Sequence, residues 1–346
     1  DDILPGMTSP LAIEWVRWSF AALLILPQTL LLGATFPLMS VGILRNFPTM
    51  PGSSIAMLYF SNSLGAVIGV LASGFWLISA VGLPGTVMVA ALINFLLAFF
   101  VYAIAKQLQA HNAPAVPETN TAGTLLRPLL LVALITGLSS FIYGIGWIRM
   151  LSLVLGASTH AFELMLSAFI LGLALGGLWV RKHIDRYENP LKALGIIQLL
   201  MGLLALGTVV SYNQIFDIMQ GLMSALQRND SGYFWFNLGS HLIAALVMLP
   251  VTFMAGMTLP LITFILFRRG SGESAIGKVY AANTLGAIIG VWLAVQWLMP
   301  LTGLKNTIII GAGLDFLLGF YLLAKSQTSL PIQRTAIAIC IIVLTV

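Results

Sequence analysis

The stretch PQTLLLGATFPL at residues 27–38 returns as PVTFMAGMTLPL at residues 250–261. Pro27 and Pro37 fall opposite Pro250 and Pro260, and Thr35 falls opposite Thr258, at an offset of 223. Outward from there, YFSNSLGAVIGV at 59–70 matches YAANTLGAIIGV at 280–291 at an offset of 221. That places Asn62 opposite Asn283, Gly65 opposite Gly286 and Gly69 opposite Gly290. Further on, Asn94-Phe95 stands opposite Asp315-Phe316. Self-similarity at this spacing is the mark of a duplicated structural unit, and it organises the rest of the reading.

Both copies are embedded in apolar runs. Of the 346 residues, 59% are hydrophobic and 8% charged, and the mean hydropathy is +1.00. A soluble domain carries about a quarter charged residues, so this chain cannot cover a water-facing surface. The runs are long enough to cross a hydrocarbon core of about 30 Å, and they are solid rather than alternating, which excludes a transmembrane β-barrel. The reading is an all-α polytopic membrane protein.

Nine full spans are expected, at about 11–44, 54–80, 84–106, 128–155, 159–180, 191–212, 234–267, 276–300 and 304–324, with a tenth opening at Pro331. The basic residues sort by loop. Arg45, Lys106, Arg127, Arg181, Lys182, Arg186, Lys192, Arg268, Arg269, Lys278, Lys325 and Arg334 lie in alternate loops, 12 of the 16 in the chain, against Arg228 and Lys305 in the loops between. Loops 45–53, 107–127, 181–192, 268–278 and 325–334 are therefore expected in the cytoplasm, by the positive-inside rule. The location expected is a bacterial inner membrane. The net charge of +5 is a topology signal on this reading, and nucleic acid is not expected as a partner. The single cysteine, Cys340, allows no disulfide framework, and the four scattered histidines show no ligand spacing, so no metal or other cofactor is expected.

Six spans separate equivalent helices, an even number, so the two copies run in parallel about an axis along the membrane normal. Parallel six-helix repeats are the architecture of the major facilitator superfamily. The fold expected is a major-facilitator-like bundle of two such repeats, the first incomplete, with about nine to ten helices. Residues 1–107 would be the last three helices of the first half, 108–126 a polar linker, 127–325 a complete second half and 326–346 the start of a further helix. Because the chain opens at Asp1 and stops at Val346 inside an apolar run, a fragment of a longer polypeptide is expected.

Four blocks carry a family resemblance. They are GATFPL and GMTLPL, each followed by the Tyr-x-x-Asn-[Ser/Thr]-Leu-Gly-Ala-x-x-Gly stretch; GLSSFIYGIGWIR at 137–149; and FILGLALGG at 169–177. Together they resemble the membrane domain of the fused facilitator/spermidine-synthase-like proteins, over nearly the whole chain. The resemblance implies a facilitator fold and, by association with the family's name, a polyamine. One departure is Gly144, where the family commonly has an acidic residue; Arg149 must then find another partner. The family's soluble aminopropyltransferase-like domain is not within these residues, and no glycine-rich cofactor turn or other catalytic motif occurs outside the apolar spans, so no enzymatic activity is assigned to them.

Several residues carry candidate chemistry, each with a plainer alternative. Gly65/Gly69, Gly172/Gly176 and Gly286/Gly290 let backbones approach closely, for sliding or simply for packing, and packing is the plainer account. Asn62 and Asn283 are expected to clamp helices rather than bind solute. Pro37 and Pro260 bend long helices, with Thr35 and Thr258 returning a hydroxyl to a freed carbonyl; such paired kinks suit either alternating access or a curved static bundle. Glu14 and Arg17 are placed to pair one turn apart. Arg149 and Glu163 flank a tight turn and are expected to pair across it. The segment 176–186, which resembles a worn facilitator loop, is expected to lock helices through an Asp185–Arg pair.

If the first helix of each three-helix unit faces a central cavity, then Glu14, Arg17, Trp18, Tyr143, Trp147, Arg149 and His241 lie near a substrate pathway. Glu14 with Trp18, Tyr143 and Trp147 would suit an organic cation, although the same residues would serve equally as an interfacial charge pair and aromatic belt. Asp315, mid-span and without an obvious partner, and His241 are candidate proton carriers. Two functions follow. One is a transporter module for a small polar or cationic solute such as a polyamine. The other is a non-transporting scaffold, embedded in the bilayer and anchoring the protein subunits of a larger enzyme or membrane complex.

Overall fold

The computed structural model describes residues 9–46, 50–107, 123–156, 158–227 and 229–326, and among them every regular element is helical. In chain order the α-helices are α1 (Pro10–Asn46), α2 (Pro51–Ala72), α3 (Ile78–Gln107), α4 (Gly123–Leu155), α5 (Thr159–Arg181), α6 (Pro190–Val210), α7 (Tyr212–Ala225), α8 (Asp230–Arg268), α9 (Ser274–Leu293) and α10 (Met299–Lys325). Most of the expected linker, 108–122, and the expected further helix from Pro331 lie outside the described residues. Helix starts follow local chemistry. Ser158, Asn189 and Asn229 each accept a backbone N–H three residues on, and α2 and α6 begin with proline, whose missing N–H costs nothing in a first turn.

Seven helical stretches are long and apolar enough to cross a membrane. Two of them, Pro51–Lys106 with 56 residues and Ser274–Lys325 with 52, are well over twice the roughly 20 residues that a bilayer needs. Each is two helices joined by the same device. A π-helical segment, Ser73–Leu77 or Ala294–Leu298, leads to a glycine in the left-handed region: Gly82 at φ 69° and Gly303 at φ 82°. Both devices sit at the repeat offset of 221. A positive φ suits glycine because no Cβ opposes it. The sequence boundaries at 80/84 and 300/304 bracket these two glycines. The sequence missed α7, which lies in the loop between the sixth and seventh spans. It buries Ile215 and Met219, and its 14 residues are too short to read as a span.

The body of the molecule is α4, α5, α6, α8, α9 and α10. Helix α5 packs along α8, α4 along α9, and α10 against both α6 and α4. Helix α2 joins this body through α5, and α1 touches α2 and α9. Its Phe36 ring sits between the repeat-equivalent Tyr59 and Tyr280, with centroids 6.3 and 4.4 Å away. Glycine makes the tight contacts. A Cβ on Gly286 or Gly290 would strike the carbonyls of Leu134 or Leu138 on α4, and one on Gly172 or Gly176 would strike Thr252 or Phe253 on α8. Where lipid offers no hydrophobic drive, such close approach is the main source of helix association. Gly65 and Gly69 on α2 meet nothing within 4 Å.

One end of the bundle gathers many of the basic loop residues. There Arg45 at the end of α1 forms a two-pronged ion pair with Glu273 before α9, at 2.8 and 2.6 Å. Asn189 at the start of α6 donates to the Ser326 carbonyl at the end of α10. The α9–α10 stretch therefore starts and ends at the same end of the bundle, having reversed between.

Candidate functional site

Helix α4 carries polar side chains at Thr136, Ser139, Ser140, Tyr143 and Trp147, spaced to share one face, and that face is turned inward against α6 and α10. Ser139 Oγ donates to Asp315 Oδ1 at 2.6 Å and is also within 3.2 Å of the Thr136 carbonyl. Gln198 of α6 donates to Thr136 Oγ1. Ser140 and the Tyr143 hydroxyl are 3.1 Å apart, the Tyr143 and Trp147 rings lie 4.8 Å apart, and Trp147 Nε1–H donates to Thr208 Oγ1 at 2.8 Å. Asp315, Tyr143, Trp147 and Gln198 all have 0% exposure. The result is a closed polar seam through an apolar bundle.

The seam is incompletely satisfied. Asp315 Oδ2 and Gln198 Oε1 are buried acceptors that meet no donor. Most buried polar atoms in proteins are partnered, because an unpaired one loses its hydration without return. These two orphan acceptors lie on neighbouring helices of one seam, whereas among the described residues the other buried polar atoms without a partner are hydroxyls of Ser40, Ser240, Thr263, Ser271 and Tyr280. The sequence reading found no partner for Asp315. The tertiary structure supplies Ser139, 176 residues away.

His241 sits elsewhere, on α8. It is half-buried, with Nδ1 3.5 Å from Ser167 Oγ on α5. Among the described residues it and Asp315 share no hydrogen-bond partner. The structure likewise separates the expected cation-binding set. Glu14, Arg17 and Trp18 lie exposed on α1, whereas Tyr143 and Trp147 are fully buried in α4.

Three expected ion pairs are corrected. Among the described residues no Glu14–Arg17 pair forms. Nor does Arg149 meet Glu163: Arg149 is exposed, while Glu163 turns inward to His160 Nδ1 at 3.1 Å. The Glu163 carboxylate lies against Gly74 in the first π-helical segment, where any Cβ would overlap it, and Phe75 stacks on the His160 ring with centroids 4.9 Å apart. At the other end, Asp185 meets backbone rather than arginine. Its two oxygens accept the N–H groups of Gly52 and Ser53, at 3.0 and 2.9 Å, in the first turn of α2. A carboxylate there is favoured by the unpaired N–H groups and the dipole of the helix start. The lock expected of this loop exists, but its partner is the start of α2.

Pro37 and Pro260 both lie inside long continuous helices, α1 and α8, and the threonine bonds differ from the expectation in one respect. Thr35 donates to Leu32 O and Thr258 to Ala255 O, each three residues back. The carbonyls deprived of a donor by Pro37 and Pro260 are those four residues before each proline, Gly33 and Gly256. The threonines therefore brace the neighbouring carbonyl. Asn283 clamps α9 to α4 by donating to Ala133 O at 3.1 Å, while its counterpart Asn62 is exposed, with no recorded side-chain hydrogen bond.

Sequence reasoning missed Ser139, Ser140, Gln198 and Thr208. The signal was the shared spacing of polar positions along α4. Among the described residues no three His, Cys, Asp or Glu side chains gather as a metal site requires. A scan against protein-family models finds no match for this chain, and a search of curated proteins finds none either.

Proposed function

We propose that this chain is the membrane-embedded part of a facilitator-type transporter for a small polar solute, with the Asp315 seam as the group on which movement depends. The observation that carries the reading is the duplication of the irregularities themselves. Intrahelical prolines with threonine-to-backbone bonds beside them, π-helical segments and left-handed glycines recur at equivalent positions in both copies. Packing alone requires helices, not the same breaks twice, whereas transporters built on repeats bend at corresponding places. Asp315 adds a fully buried carboxylate with one unmet oxygen, and ionisable groups inside a bundle commonly mark pathways.

The solute class rests on less. Glu14 and Trp18 are exposed on α1 while Tyr143 and Trp147 are fully buried in α4, so the cation box expected of those four lacks support in the geometry. The test is uptake by the purified chain in sealed vesicles, with labelled putrescine and spermidine beside a panel of small organic ions. Saturable uptake that falls to background in Asp315→Asn is the expected result. Asparagine keeps the acceptor for Ser139, so folding should survive, as helical circular dichroism would check. No saturable uptake of any solute, or unchanged uptake in Asp315→Asn, would overturn the reading.

A scaffold role is favoured by one specific observation. Asp315, Tyr143 and Trp147 are closed off and largely satisfied by one another's neighbours, as in a static core. A subunit of fixed stoichiometry retained through purification in mild detergent would favour that role. A chain that always runs alone would count against it.

A further inference from the structure

The end of the bundle that gathers basic residues carries a recess of about 470 Å³ between the start of α6 and the ends of α8 and α10. Its floor is apolar, with Leu125, Leu191 and Ile265. Its rim carries Arg268, Arg269 and Lys325 against a single acid, Glu188. The walls are fastened. Asn189 joins α6 to α10 through the Ser326 carbonyl, and the Arg268 guanidinium lies 5.6 Å from the Phe264 ring centroid with Nη1 3.5 Å from the Tyr187 carbonyl. Among the described residues the ion pairs are Arg45–Glu273 and His160–Glu163, and neither uses a rim cation.

We propose that this recess binds the phosphate of an amphiphile: an anionic phospholipid headgroup, seated with its glycerol end on the apolar floor. Guanidinium groups and an ammonium suit phosphate oxygens; the start of α6 favours an anion, and the three cations outweigh the negative dipole ends of α8 and α10. Basic concavities between membrane helices are where such headgroups dock. Charges that served only to orient the chain would need to lie on one side of the membrane. They would not need to converge, from two helices, on one depression with an apolar base. The site is independent of whether the chain transports or anchors.

The test uses the full chain, stripped of lipid in mild detergent and offered phosphatidylglycerol or phosphatidylcholine, with retention read by native mass spectrometry. The expected result is preferential retention of phosphatidylglycerol. Each cation near the surface contributes about 1 kcal/mol, or about fivefold in affinity. Arg269→Gln and Lys325→Gln should therefore each cost about fivefold, and Glu188→Gln should tighten binding. Lys278→Gln, at the same end but outside the recess, should change nothing. Should a glutamine variant fail to fold, Lys325→Glu, on an exposed side chain, repeats the comparison.

Inorganic phosphate separates the sources. Protection of the chain against heating by millimolar phosphate, lost in Lys325→Gln and without any lipid preference, would place a free phosphate in the site. Lipid retention that resists added phosphate identifies the headgroup. No preference for phosphatidylglycerol together with no phosphate effect, or equal losses in Lys278→Gln, would overturn the proposal.

Discussion

Ser139 donates to Asp315 at 2.6 Å and the Tyr143 hydroxyl faces the same carboxyl, and through them the carboxyl of α10 is tied to α4. Ser139→Ala would remove the 2.6 Å hydrogen bond to Asp315 in a closed interior. The expected loss is about 1–3 kcal/mol of stability, read as a lower midpoint in detergent-induced unfolding. Ser139→Thr keeps the hydroxyl and should recover most of it. Trp147→Phe removes the donor to Thr208 and part of a buried ring, and should cost about 2 kcal/mol or more in the same assay. Asp315, Tyr143 and Trp147 were legible in the sequence because charge and large polar aromatics are rare in apolar spans. Ser139, Gln198 and Thr208 were not. Small hydroxyls in helices commonly bond their own preceding turn, as Ser139 and Thr208 also do here, so type alone does not reveal an inter-helix role.

At the scale of elements, equivalent positions have unequal surroundings. Gly286 lies against the Leu134 carbonyl, and backbone cannot yield as a side chain can, whereas Gly65 faces open space. Gly286→Ala should therefore destabilise the chain by about 1–3 kcal/mol, while Gly65→Ala should be neutral or slightly stabilising through helix propensity. Thermal melting of the two variants side by side checks the contrast, and equal effects would refute it. Asp185→Ala removes the cap on α2 from across the bundle, and should cost about 1 kcal/mol. Amide exchange should then rise first in the opening turn of α2. The repeat predicted which helices correspond. It did not predict that Asn283 clamps α4 while Asn62 is left exposed, because that depends on which neighbour is present.

Across the whole molecule, tryptophan reports how the surface is divided. Of eight tryptophans only Trp147 is buried, while Trp76 is 69% exposed and Trp18 72% exposed, on helices with broad apolar faces. In vesicles containing brominated lipid, most emission should be quenched, and the remaining unquenched part should vanish in Trp147→Phe but persist in Trp76→Phe. Unquenched emission that survives Trp147→Phe would mean that the exposed faces are covered by something other than lipid.

The sequence by itself determined that the chain is helical and suited to a membrane, where its long apolar helices turn, and which segments repeat one another. These follow from composition, run length and local chemistry: a peptide group in hydrocarbon must bond within its own helix, proline and glycine mark the breaks, and duplication preserves both. Only the tertiary structure decided the partners. It gave Asp315 to Ser139, turned Glu163 from Arg149 to His160 and Gly74, and set Asp185 on the start of α2. The physical reason is that in an apolar medium every long helix offers several faces of nearly equal hydrophobicity. The choice among them is made by close packing of glycine against backbone and by polar groups whose partners lie far away in the chain.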